Sequence, residues 1–475
     1  MSFISFRFAV FLPIVFFLYY SFPKQYRWTV LLVSSYVFYS FAGIRYLAIL
    51  IYVTAISYLC TRYFEKTEKK KRILIFGIIL MILPLLLFKY LGFLVININL
   101  FLHAIRSPYG LSVMEIMLPA GISFYTFSAL AYVIDVAQKK YEPFRNPLHL
   151  ASGLSFFPCL VSGPIERQNK LVPQIVNGNV FDYSMATYGL KQIAWGLFEK
   201  MVIADNFAVF VDKVFSDVRS YSGAPLLIGS LFFSIQIYCD FAGYSEIASG
   251  IAKLFGINLT RNFMIPYFST SFQEFWKKWH ISLSSWFRDY VYIPLGGNKK
   301  GNIRKNINVI ITMIISGLWH GAAWTFIIWG LFHGIVQVIE NISGLGRYKT
   351  KNRMVKLIKM LIVFSLCNVL WVFFRASSFS DAWYLICHAF DGIPDIYSYV
   401  IGLSVLGIER NVLLLCFFEF SILFLYDYYS QKTDVIKFIS SQKLVLRWLI
   451  YCIFIILIAL LSYKGTAINF VYAGF

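Results

Sequence analysis

Charge is scarce in this 475-residue chain. Asp, Glu, Lys and Arg make up 14% of it, against 59% apolar residues and a mean hydropathy of +0.67. A soluble domain carries about a quarter charged residues, so the shortage excludes that class and predicts an all-α polytopic membrane protein. Acidic charge is scarcer than basic: 23 Asp and Glu stand against 43 Lys and Arg, a net +20. In a soluble chain that excess would point to nucleic acid. Here the bases lie between apolar runs and no basic and aromatic module is visible, so they read as cytoplasmic loop anchors and no nucleic-acid partner is expected. The seven cysteines form no CxxC pair and read as small core hydrophobes. The six histidines show no HExxH or HxxxH spacing, so no metal site is expected. No cleavable leader is expected either. The apolar stretch Phe8 to Tyr20, behind Arg7, runs into Ser-Phe-Pro-Lys rather than a small-x-small site, and reads as a retained membrane helix. No internal repeat or low-complexity segment breaks the pattern.

Apolar runs near the roughly 20 residues that span a bilayer cover 6–22, 29–43, 45–62, 73–96, 113–136, 185–211, 224–255, 307–325, 326–343, 357–374, 411–428 and 447–463. Some are short or interrupted, which predicts ten to twelve passes in one integral-membrane domain over 1–475. The basic loops Arg62 to Arg72, Lys299 to Lys305 and Arg347 to Lys359 are placed in the cytoplasm. The last two flank 307–342, which must then cross an even number of times, as a hairpin. A further basic loop, Lys432 to Arg447, sends the final helix outward and puts the tail 464–475 on the extracytoplasmic side. Between Phe157-Pro158 and Gly163-Pro164 the apolar run is too broken for a plain span, which predicts a re-entrant or interfacial segment beside protein or a wet cavity.

Several polar residues sit where they are expensive. His320, in Ser316-Gly-Leu-Trp-His-Gly-Ala-Ala-Trp324, lies roughly 20 Å from the cytoplasmic edge of a core about 30 Å thick, counting helical rise from Lys305. Intramembrane ionisable residues are candidates for function. The stretch by itself fits either a working imidazole or a packed, hydrogen-bonded histidine between two tryptophans, with Gly317 and Gly321 allowing close approach. His333, further along, is expected to point well away from His320 and to be structural. Ser271 and Glu274 make a capping box that starts a helix. Phe272, Trp276, Trp279, Leu283 and Phe287 then share one face and Lys277, Lys278 and Arg288 the other, as in an interfacial amphipathic helix. On that helix His280 stands at the edge of the apolar face, where an ordinary snorkelling histidine is the simpler reading. Asp240 and Glu246 do not share a helical face, and read as hydrogen-bond anchors at a helix break near Gly243 rather than as a paired acid and base.

Four blocks, taken together and in order, resemble the membrane-bound O-acyltransferases, and within them the bacterial alginate and peptidoglycan O-acetyltransferase branch. They are Gly163-Pro-Ile-Glu-Arg167 with Pro173-Gln174; Asp240-Phe-Ala-Gly-Tyr-Ser245; Trp279-His-Ile-Ser-Leu-Ser284 with Trp286-Phe-Arg-Asp-Tyr290 and Pro294-Leu-Gly-Gly297; and Gly317-Leu-Trp-His-Gly-Ala-Ala-Trp324. The blocks lie within a motif core of about 160–335. The resemblance implies a ring of tilted helices around a thinned centre, with re-entrant and interfacial helices. It makes His320 the catalytic histidine and His280 the second signature position. It implies that Trp319, Trp279, Arg288 and Asp240 line the substrate tunnel. It also implies an acyl thioester donor, acetyl-CoA above all, with no bound cofactor, and a polysaccharide acceptor reached through a periplasmic or surface O-acetyltransferase partner. The setting implied is lipid of the bacterial cytoplasmic membrane.

The tail Phe470-Val-Tyr472-Ala-Gly-Phe475 fits that branch's F-x-Y-x-x-F ending, with Ala473-Gly474 in place of the usual bulky aromatic. The resemblance makes Tyr472 an acyl relay. A phenol of pKa about 10 is within reach of an imidazole base, and its aryl ester stays activated. Two other readings remain beside this one. A D-alanyl exporter for teichoic acids is opposed by the tail's presence in the same chain. A secondary transporter or flippase would fit broken helices and buried charge, and is opposed by the lack of an internal repeat.

Overall fold

The computed structural model describes residues 1–65, 67, 70–112, 117–348, 350–393, 395–407 and 409–465, and among them the regular structure is helical throughout. Among the described residues, seven helices are long and apolar enough to cross a membrane: Ile44–Phe64, Lys70–Ala104, Ala224–Leu254, Trp324–Ser343, Arg353–Arg375, Arg410–Ser430 and Leu444–Leu461. They differ in how far the protein covers them. In Leu444–Leu461 none of the apolar window is buried within the protein, whereas 78% of that in Ala224–Leu254 is. An apolar helix that the protein leaves uncovered needs lipid around it.

The chain forms two compact units. One comprises Met1–Ile193 with Ala248–Thr260; the other comprises Ala194–Ile247 and the chain from Arg261 onward. In the first, Gly121 adopts a left-handed backbone at the start of Ile122–Ala137, and a side chain there would collide with the carbonyl of Leu160. The broken stretch 157–164 carries one short helix, Phe157–Leu160, preceded by another, Pro147–Leu154, and Phe156 and Phe157 are fully buried. Buried Glu166 accepts hydrogen bonds from the backbone N–H and the hydroxyl of Thr260, which satisfies polar backbone that a regular helix would have paired internally.

The second unit carries the expected hairpin. A rising arm, Gly301–His320, and a descending arm, Trp324–Ser343, are joined by the short turn 321–323. Glycine lets the arms touch. A Cβ on Gly317 would meet the Phe326 carbonyl, and one on Gly330 the Met313 carbonyl. Small residues at helix interfaces allow this approach in membranes. Gly330→Val is therefore expected to part the arms, costing about 1–3 kcal/mol by overpacking. Thermal unfolding in detergent checks this, and an unchanged midpoint would contradict it.

Two expectations are corrected. The helix Ala224–Leu254 is continuous, with no break near Gly243. Gly243 instead lets it lie against Gly196, whose carbonyl a Cβ there would crowd at 2.7 Å. The amphipathic stretch after Ser271 is two helices rather than one. Ser271 caps the first, Phe272–Lys278, by accepting from the Glu274 N–H at 3.0 Å, and Glu274 in turn accepts from the Thr270 N–H at 2.8 Å. The chain then breaks at Trp279-His280 and restarts as Ile281–Phe287. The side-chain pattern runs on across the break, so periodicity did not reveal it.

Candidate active site

His320 is the last residue of the rising arm and is 3% exposed. Its ring meets Trp329 edge-on at 5.2 Å and Phe374 at 5.2 Å, and its neighbour Trp319 at 4.8 Å. His320 thus stands at the carbonyl end of its helix, the end that carries partial negative charge. The aromatic walls exclude bulk water, which strengthens any electrostatic effect within them.

His280 occupies the break between the two short helices, with φ 42° and ψ 56° and 1% exposure. Its ring stands edge-on to Phe241 at 4.5 Å and to Trp319 at 6.1 Å. Trp319 therefore touches both histidines. Burial pushes the His280 imidazole down to about 3, so it stays neutral across the physiological range. A neutral ring offers one N–H and one lone pair, which suits hydrogen bonding to a reacting group better than carrying charge.

Trp279 is 1% exposed and packs against Trp371 at 4.9 Å, which lies against Trp329 at 5.7 Å. Trp319, Trp279, His280 and His320 thus belong to one aromatic cluster. Arg288 is not brought into it. Its side chain is 67% exposed and pairs with Asp289 at 3.0 Å. Asp240 is fully buried in an ion triad: Lys200 Nζ lies 2.6 Å from Asp240 Oδ1 and 2.8 Å from Asp205 Oδ1. Lys200 sits on a π-helical turn, Phe198–Ala204, a local widening often found at functional sites. Tyr472 lies outside the described residues. The described chain leading to it is held in place: the Tyr463 N–H donates to the Met201 carbonyl at 3.1 Å, and Asn206 Nδ2 donates to the Leu461 carbonyl at 2.9 Å.

His333 is fully buried and its ring lies 4.5 Å from Trp329, the same indole that His320 touches. Sequence reading did not single out Trp329, Trp371, Phe374 or Lys200. Only Lys200 had a visible signal, as a charge inside the apolar run 185–211.

A family profile described as MBOAT, membrane-bound O-acyltransferase family, matches residues 146–379. The chain is similar to a probable alginate O-acetylase AlgI of Azotobacter vinelandii, 37% identical over 381 residues, covering 79% of this chain and 74% of that protein. It is similar to a peptidoglycan O-acetyltransferase of Helicobacter pylori, 36% identical over 390 residues, covering 76% and 72%. A teichoic acid D-alanyltransferase of Streptococcus thermophilus is 34% identical over 247 residues, covering 49% and 59%.

Proposed function

The chain belongs to the membrane-bound O-acyltransferase family, as a multi-pass membrane enzyme that transfers acyl groups to oxygen, and from that premise we propose that it moves acetyl from a cytoplasmic thioester to a cell-surface or secreted polysaccharide. The observation that carries the reading is Trp319 held between two buried histidines, one of them ending a helix at the tip of the hairpin. The acetyl group and the glycan class are taken from the names of the alginate and peptidoglycan relatives, which align with about three quarters of the chain.

In the proposed step acetyl-CoA enters from the side of the basic loops, in the bacterial cytoplasmic membrane. His320 takes the proton from the Tyr472 hydroxyl as the phenolic oxygen attacks the thioester carbonyl. The C–O bond forms, the C–S bond breaks, and the proton passes to the leaving thiolate. Neutral His280 donates a hydrogen bond to the carbonyl oxygen as negative charge develops there. Trp279 and Trp319 wall the route, and Arg288 and Asp240 stand as the entrance charge and an inner support. A periplasmic or surface O-acetyltransferase then takes acetyl from the aryl ester to the glycan hydroxyl. Reach supports the relay: nine residues from Tyr463 to Tyr472 span up to roughly 30 Å when extended.

Tyr472→Phe tests the relay. It is expected to lower glycan acetylation by about 10²-fold or more, since the ester cannot form, while the protein remains folded in the membrane. Undiminished glycan acetylation would mean direct transfer to the acceptor. The teichoic acid relatives favour one second reading, transfer of D-alanine from a carrier-protein thioester, but they align with only about half of this chain. CoA release from acetyl-CoA separates the two.

A further inference from the structure

His280 holds a backbone conformation that L-residues with side chains rarely adopt, because the left-handed region brings Cβ against the carbonyl. Glycine apart, asparagine, aspartate and histidine are the residues found there most often, and a side chain held there persists when its surroundings enforce the turn. Ile265 is also left-handed, at φ 54° and ψ 62°, and for a β-branched residue that is rarer still. The two strained residues belong to one construction. The Met264 N–H donates to the Lys278 carbonyl at 3.0 Å, and the Ile281 N–H donates to the Asn262 carbonyl at 2.9 Å. Segment 262–264 is thereby laced to 278–281, and each strained residue adjoins one of the lacing donors.

Asn262 does more than supply a carbonyl. It is 1% exposed. Its Oδ1 accepts from the Ser282 hydroxyl at 2.7 Å, on the helix that His280 begins, and its Nδ2 donates to the Ser245 hydroxyl at 3.0 Å, on the helix Ala224–Leu254. That same long helix presents Phe241 to the His280 ring. The Asn262 carboxamide therefore fixes the helix after His280 to the helix that His280 packs against, while the Asn262 carbonyl holds Ile281, the residue next to His280.

We propose that Asn262 is a positioning residue that enforces the left-handed turn at His280 and so aims the imidazole into the aromatic cluster. This rests on the role given to His280 in the preceding subsection. Asn262 touches no substrate; it acts through the histidine. Ångström-scale misplacement of a working group costs on the order of 10²-fold in rate, and a group that acts only through another shows no further loss once that other is gone.

The test is a double-mutant cycle on the purified full-length protein, reading kcat and KM for CoA release from acetyl-CoA. Asn262→Ala is expected to lower kcat by about 10- to 100-fold with little change in KM. His280→Ala is expected to lower it at least as far, and the double variant to match His280→Ala alone. Ser282→Ala removes one hydroxyl from the network, and serves if Asn262→Ala does not fold. Its smaller loss should likewise vanish in the His280→Ala background. Losses that multiply in the double variant, or an Asn262→Ala or Ser282→Ala enzyme with undiminished kcat, overturn the inference while leaving His280 its role. An undiminished His280→Ala enzyme overturns that role, and the inference with it.

Discussion

His320→Ala is expected to lower acyl transfer by about 10² to 10⁴-fold, the range that a positioned general base contributes. The physical reason lies in where the ring sits. His320 ends a helix, where the carbonyl pole favours positive charge, and its walls are Trp319, Trp329 and Phe374 rather than solvent. Water cannot readily enter to take over the proton. The loss should fall on kcat, since the ring acts when the proton moves and contributes little to binding the donor. His320→Gln, which fills more of the space, separates chemistry from packing: it should be as inactive as alanine while unfolding closer to the parent. A His320→Ala enzyme within tenfold of the parent would remove the histidine from the reaction.

Lys200→Met is expected to be the most damaging single change to stability. The ammonium is 1% exposed and lies between two carboxyl groups, at 2.6 Å from Asp240 and 2.8 Å from Asp205. Taking one partner from a buried ionic group leaves uncompensated charge and costs roughly 3–5 kcal/mol. Here the two carboxyl groups would also face each other. The midpoint of thermal unfolding should fall by several degrees, and yield from membranes with it. Adding Asp205→Asn and Asp240→Asn to Lys200→Met should restore most of the loss, because neutral amides need no counter-charge. A single variant as stable as the parent, or a triple variant no better than the single, would contradict this account of the triad.

Much of the architecture could be read from the residues because membrane helices obey a blunt rule. Each apolar run of about the right length had to pair its backbone within itself. The runs 224–255, 357–374 and 411–428 became Ala224–Leu254, Arg353–Arg375 and Arg410–Ser430, with every end within four residues. Flanking basic loops predicted the hairpin, and Ser271 with Glu274 predicted a helix start to the residue. What stayed hidden depended on backbone angles and on pairings between distant segments. The left-handed turn at His280 has no glycine to announce it, and the side-chain pattern passes through it undisturbed. Gly243 looked like a breaker because glycine more often is one; its use, close approach to Gly196, needs both helices in view. Lys200 meets Asp240 across a separation no local spacing encodes. The ring of aromatic residues around His320 draws on residues 319–374 and on Trp279, and only the fold brings them together.

The central claim is that a thioester-borne acetyl group passes onto the chain at a site governed by His320. The most direct measurement incubates the purified full-length protein with isotopically labelled acetyl-CoA and reads the C-terminal peptide by mass spectrometry, beside a His320→Ala control. The account predicts one labelled, alkali-labile acetyl group on Tyr472, absent from the control. An unlabelled peptide from a preparation that releases CoA, or equal label with and without His320, would contradict it.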